Sequence, residues 1–278
     1  MIAERTAPLS EPDAPADPLL QLPSRYYRVY TDPDVPCNEQ NFAFVDRVLS
    51  LPLAQTAVVL VDLWRTHYVD SWLRRAQEVT LAHILPLMEA ARAAGVTLIH
   101  GPSPFVADRY LPAPPPVPAL PDPAPHWPPP DFRGIYRSGK WAEFGRDQEP
   151  RLSAAMERYK TELDIFEPVR PLPGEPIIHT GLQMHELLAE RGILHLVYAG
   201  FATNWCMIGR DYGIIEMNRR GYNVILVRDA TTGIEFHDTV DALTATEIQI
   251  REIETKYGWS TTSAEFIQAC AQATEGRA

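Results

Sequence analysis

The chain has 278 residues, 45% of them hydrophobic, and sets 25 basic against 36 acidic side chains for a formal net charge of −11. That length supports one large core with appendages, and the acidic balance argues against a nucleic-acid partner, whose phosphates need a basic surface. No apolar run reaches the roughly eighteen residues that span a membrane, the start lacks the pattern of a secretory signal, and Cys37, Cys206 and Cys270 form neither a CxxC pair nor a disulfide framework. A reducing cytoplasm is the expected home.

Residues 1–24, rich in Pro, Ala and Asp, are expected to lack fixed structure. Residues 25–278 read as one domain. It opens with an ordered extension, 25–55, anchored by Tyr26, Tyr27 and Tyr30. "TAVVLVDLW" (56–64) is a continuous apolar run with β-branched residues, as in a strand buried on both faces. Residues 75–94 read as a helix closed by Gly95, and 96–101 as a second strand. Residues 102–130 hold 13 of the 27 prolines, too many for a helix or a central strand. With the aromatic and basic stretch 131–147 they read as an elaborated loop: a lid, an oligomer contact, or a surface insertion without function. A helix at 152–163, a third strand at 175–181, a helix at 183–192 and a fourth strand at 194–200 follow. A helix at 205–221, a fifth strand at 222–230, a helix at 237–257 and a tail helix from Ser263 complete the chain. This alternation predicts an α/β fold of three layers, α/β/α, around a mainly parallel sheet.

In such sheets ligands bind at the carboxyl ends of the strands. Asp62 ends the first strand, where a carboxylate needs a task or a partner. It reads as a general base, or as a cap at a strand end. Cys206 stands where the fourth strand gives way to a helix that Thr203 and Asn204 can cap. The positive end of a helix favours thiolate; the alternative is a buried, inert cysteine. Asp229 ends the fifth strand, where "RDATTG" reads as a carboxylate holding a turn. His67 can reach into the cleft toward a substrate carbonyl or carboxylate, or be satisfied within its loop. Trp64, Tyr68 and Trp205 can wall the pocket or belong to the core. Glu235 can reach the strand ends, while His237 reads as a cap or packing residue of the last long helix. His100 and the lone His126 lack zinc-site spacing, and no Gly-rich phosphate loop follows the first strand. No metal and no cofactor are expected.

"VVLVDLW" with Asp62, "LLAERGILHLVYAGFATNWC" with Cys206 and "MNRRGYNVILVRDATTG" together resemble the isochorismatase-like cysteine hydrolases. That group includes nicotinamidases, N-carbamoylsarcosine amidohydrolases and biuret-type ureide hydrolases. The resemblance covers roughly residues 55–101 and 172–250 and implies the isochorismatase-like hydrolase fold, here with a proline-rich insertion (102–147) and an N-terminal extension. It implies a triad of Asp, Lys and Cys in which Asp62 deprotonates Cys206. The sulfur then attacks a carbonyl to give an acyl- or carbamoyl-enzyme, and backbone N–H groups of Cys206 and of Ala202–Thr203 hold the oxyanion. The family often carries a cis peptide in that turn, for which Phe201, Ala202 and Thr203 are the candidates. The chain departs from the pattern at the lysine expected after the third strand, where "IIHTGLQMHELL" has none. Lys140, in "RSGKWAEF" of the insertion, is the candidate replacement, with a polar role for His179 or no cation as alternatives. The Asp-x-His cluster of the metal-binding nicotinamidases is missing. The resemblance thus implies a C–N hydrolase for a small amide, carbamoyl or ureido compound, assembled as a dimer or tetramer. A non-catalytic binding or assembly protein of the same fold is the alternative that the missing lysine raises, and a redox-sensing thiol protein is a third.

Overall fold

A computed structural model describes residues 18–111 and 127–275. The expected disorder of residues 1–17 and the most proline-dense part of the insertion, 112–126 with His126, lie outside the described residues.

The chain opens with a hairpin of β1 (Leu19–Arg28) and β2 (Ala43–Pro52), so ordered strand begins inside the segment expected to lack structure. β3 (Thr56–Val61) leads through a loop to α1 (Asp70–Val79), which a wider turn at Thr80–Ile84 joins to α2 (Leu85–Ala94). Gly95 closes α2 in the left-handed region, φ 79°, as a glycine stop should. β4 (Thr97–Gly101) precedes the insertion, and α4 (Pro150–Glu162) comes after it. α3 (Pro104–Tyr110) lies inside it where no helix was expected, because Pro104 stands at the first helical turn and no proline follows within the helix. Then come α5 (Gly181–Arg191), β5 (His195–Phe201), α6 (Cys206–Gly209), α7 (Ile214–Arg219) and β6 (Asn223–Thr232). α8 (Thr244–Lys256), β7 (Gly258–Thr261) and α9 (Ser263–Glu275) complete the described fold.

The strands form one seven-stranded sheet in the order β2-β1-β7-β6-β5-β3-β4. The block from β4 to β7 is parallel, and the hairpin extends it antiparallel through Arg25 opposite Ser260. Successive side chains of a buried strand face opposite sides. Val58 and Leu60 accordingly join a core with Leu87 and Met88 of α2 and Phe266 and Ala269 of α9. Ala57, Val59 and Val61 join a second core with Met184 and Leu188 of α5, Met217 of α7 and Ile253 of α8. Helices therefore cover both faces of a mainly parallel sheet, the α/β/α arrangement expected.

Four further expectations change in detail. The third strand, 175–181, is reduced to a single parallel bridge, His100 to Ile177, and Gly181 already starts α5. The helix expected over 205–221 is two short pieces broken between Gly209 and Gly213. The last long helix begins at Thr244, seven residues later than expected, after Leu243 in the left-handed region. Of the tyrosine anchors, Tyr26 packs edge-on against Trp259 and Tyr27 against Phe44, but Tyr30 is 56% exposed.

Candidate active site

β3 ends at Val61, and the chain turns at once: Asp62 has φ 47°, and Trp64 N–H donates back to Asp62 O at 2.9 Å. A short polar side chain tolerates this left-handed conformation better than most. The Asp62 N–H donates to Gly101 O at the end of β4 (3.2 Å), and its carboxylate is 1% exposed. On the other side of β3 runs β5, and Gly200 sets that approach. A Cβ there would lie 2.1 Å from Val61 O, and its φ of 127° is glycine territory. The close passage brings residues 201–206 alongside Asp62. The Phe201–Ala202 peptide is cis, and Ala202 O accepts from Trp205 and Met207 N–H as α6 begins.

The Cys206 thiol lies close enough to the Asp62 carboxylate for each to act on the other's ionisation. Asp62 Oδ1 also accepts from Trp64 Nε1 (3.2 Å), and Oδ2 accepts from Arg210 Nη2 (2.8 Å) and Nε (3.3 Å). Burial raises the Asp62 pKa above the ordinary carboxylate value, and Arg210 limits the rise. Burial, then the Asp62 charge, pushes the Cys206 thiol up to about 12, with the Arg210 charge the largest influence working the other way. This corrects the expectation of a thiolate favoured by a helix end. α6 is one turn long, with little macrodipole, and the carboxylate outweighs it. Burial works against the Arg210 charge, but Asp62 more than offsets it and holds the guanidinium above its ordinary value.

Tyr212 closes the floor. It is fully buried, its OH donates to Pro102 O (2.9 Å) and lies 3.2 Å from Gly101 O, and its ring fills the space a Gly101 side chain would need. Burial and the Asp62 charge both raise its pKa, so it remains a neutral phenol.

The other expected site residues separate. Trp64 holds Asp62 rather than only walling a pocket. His67 is 7% exposed, stacked with Tyr68 (4.5 Å) and close to Trp72 (4.3 Å). Burial brings its pKa down to about 4, and Val69 N–H donates to Nδ1 (3.1 Å), so the ring is neutral with its proton on Nε2. His179 is buried, with Nδ1 unpartnered among the described residues and 3.9 Å from Asp108. Trp205 stands beside the nucleophile but is 45% exposed. Thr203 bonds Thr231 side chain to side chain (2.7 Å) and gives its N–H to Thr232 O (3.3 Å); Asn204 is tied to Ile234. Neither caps α6.

Lys140 is not brought to Asp62 and Cys206. It sits in an exposed turn with its Nζ over the Trp141 ring at 4.7 Å. The cation on Asp62 is Arg210, which sequence reasoning passed over, although it stands one helical turn after Cys206 and such neighbours share a face. Asp229 accepts from Ser263 N–H and Oγ (2.8 Å each) and so holds the start of α9. Glu235, not His237, caps α8, through Ala245 and Thr246 N–H; His237 is exposed.

The isochorismatase domain model matches residues 56–264, and the chain belongs to that family. Among curated relatives it is similar to the ureidoacrylate amidohydrolase RutB of Azorhizobium caulinodans. That protein is 28% identical over 243 residues, 81% of this chain and 94% of the relative. The ureidoacrylate amidohydrolase RutB of Caulobacter vibrioides is 26% identical over 240 residues, 80% of this chain and 93% of the relative. A cysteine hydrolase of Pseudomonas syringae pv. phaseolicola 1448A shares the fold, with a TM-score of 0.54 at 21% identity over 79% of this chain and 94% of that one.

Proposed function

We propose that this chain is a cysteine-dependent amidohydrolase that opens a C–N bond of a small amide, carbamoyl or ureido compound, with Cys206 as nucleophile. The class, a hydrolase of carbon–nitrogen bonds other than peptide bonds, rests on the family and on the amidohydrolase relatives. The observation that carries the finer reading is a buried carboxylate electrostatically coupled to a neighbouring thiol at the carboxyl ends of parallel strands.

In the reaction, Asp62 takes the thiol proton as sulfur adds to the substrate carbonyl carbon. The negative oxygen formed is held by backbone N–H groups of Cys206 and Ala202. Thr203 is a weaker candidate, since its N–H already bonds Thr232 O. Donors of this kind typically contribute about 3–4 kcal/mol each by mutational loss. Collapse of the intermediate breaks the C–N bond, and protonated Asp62 returns its proton to the departing nitrogen. Water then adds to the thioester, its proton passing to Asp62, and thiol and acid are released. The same carboxylate acts as base, acid and base again, which suits a pKa raised by burial.

The likeness to ureidoacrylate amidohydrolases supports a ureido compound as the first candidate substrate. Ser103 Oγ and His179 Nδ1, buried and without a hydrogen-bond partner among the described residues, are the polar contacts we assign to it. The three cysteines are free thiols, which supports a reducing compartment, and a dimer or tetramer remains our reading of the assembly. A non-catalytic scaffold is not favoured, because burying Asp62 against a thiol costs stability that a scaffold need not spend.

The test is ammonia release from a panel of small amides, carbamoyl compounds and ureides, with wild type beside Cys206→Ala. Ammonia from wild type alone is the expected result. Equal release from Cys206→Ala would remove Cys206 as nucleophile.

A further inference from the structure

We infer that Arg210 is the positioning residue of this site: its guanidinium holds Asp62 ready to act as base and supplies, from the nucleophile's own turn, the cation that the resemblance assigns to a lysine. The inference rests on the hydrolase reading above.

Two contacts fix the carboxylate, Nη2 at 2.8 Å and Nε at 3.3 Å on the same oxygen, leaving Oδ1 to Trp64. The Asp62 side chain is 1% exposed and that of Arg210 26%, so the pair is shielded from solvent on the carboxylate side. The turn that begins at Cys206 sets this geometry. Arg210 N–H donates to Cys206 O (3.1 Å), so the turn closes on the nucleophile, and Gly213 N–H donates to Arg210 O (2.8 Å) before α7 starts. A side chain at Gly213 would meet Met207 O at 2.9 Å and Arg210 O at 3.0 Å, so the glycine permits the turn. Asp211 then fastens the other side by accepting Gly181 N–H (2.6 Å).

The charge balance explains why a cation belongs here. Before proton transfer Asp62 is negative and Cys206 neutral; afterwards the negative charge lies on sulfur. One positive group beside both atoms compensates the site in either state, and Arg210 interacts with both Asp62 and Cys206. Arginine also keeps its proton at any working pH. It therefore cannot protonate the leaving nitrogen, and that proton must come from Asp62. Lys140, by contrast, has its Nζ on its own neighbour's ring.

The test compares wild type, Arg210→Lys and Arg210→Met, all carrying Cys37→Ser to remove the exposed thiol, by turnover and by the pH dependence of Cys206 alkylation with iodoacetamide. Without Arg210, Asp62 holds its proton to higher pH, so the acid limb of kcat/KM and of alkylation moves to higher pH. The expected loss in kcat for Arg210→Met is about 10²–10³-fold, the scale of removing one preorganised charge-stabilising group. KM should stay within a few-fold, and Arg210→Lys should recover part of kcat. Wild-type kcat with an unmoved acid limb in Arg210→Met would overturn the inference. So would an alkylation profile that ignores position 210. Should Arg210→Met fail to fold, Arg210→Gln, neutral but hydrogen-bonding, takes its place with the same expectations. If no substrate is turned over even by wild type, the hydrolase reading fails, while the alkylation profiles still decide the role of Arg210.

Discussion

Replacing Asp62 by asparagine separates the chemistry of this carboxylate from its structural role. Asn has one acceptor oxygen where the carboxylate has two. It can accept from Arg210 or from Trp64, not both, and its NH2 must then face the remaining donor. One charge-assisted hydrogen bond is lost, worth about 1.5–3 kcal/mol. Against this, the cost of burying a charge disappears. A net destabilisation of about 1–2 kcal/mol is expected, or roughly 2–8 °C in Tm for a domain of this size. Turnover should fall by about 10²–10⁴-fold, the usual contribution of a general base.

The pH dependence carries a definite sign. Burial raises the folded-state pKa of Asp62 above its unfolded value, so the native state binds this proton more tightly. Its stabilising contribution is therefore complete below about pH 4, near the unfolded pKa, and is lost as pH rises through the folded value. Asparagine has no such term. Urea unfolding from pH 4 to 8 should show the advantage of wild type over Asp62→Asn shrinking as pH rises. An advantage that grows with pH would refute burial as the dominant influence on this carboxylate. Turnover within tenfold of wild type would refute Asp62 as the base.

Gly200→Ala places a Cβ 2.1 Å from Val61 O, and a loss of about 3 kcal/mol or more is expected; a wild-type urea midpoint would show that β3 and β5 need not approach so closely. Lys140→Ala should leave turnover unchanged and alter stability by no more than about 1 kcal/mol, the size of an exposed cation–π contact; lost activity would return Lys140 to the site. Asp229→Ala removes both bonds at the start of α9 and should cost about 1–2 kcal/mol by thermal unfolding. Inactivation at unchanged stability would instead assign Asp229 to the chemistry.

Asp62 and Cys206 were legible because each breaks a local pattern. One is a carboxylate at the end of an apolar run, the other a thiol after a strand and a glycine. The partner of Asp62 was not legible, because the resemblance implies a lysine after the third strand while the cation comes from Arg210, 148 residues from Asp62. The clue was local to Cys206, four positions on. It stayed hidden because nothing along 205–221 tells which distant carboxylate that face of the helix meets; only the packing of α6 against the end of β3 decides it. The ionisation of the thiol was misread for a related reason. A helix end predicts thiolate, but burial and the facing carboxylate are three-dimensional facts.

The amino-acid sequence alone determined the order of β3, β4, β5 and β6, their burial on both faces and the α/β/α layering. Those follow from the period and length of apolar runs, which act over a few residues. Tertiary structure alone decided which charges meet, that 175–181 would pair through a single bridge, and that the β1–β2 hairpin would extend the sheet. Each of these depends on the competition of distant segments for the same hydrogen bonds and the same buried space, which no local pattern records.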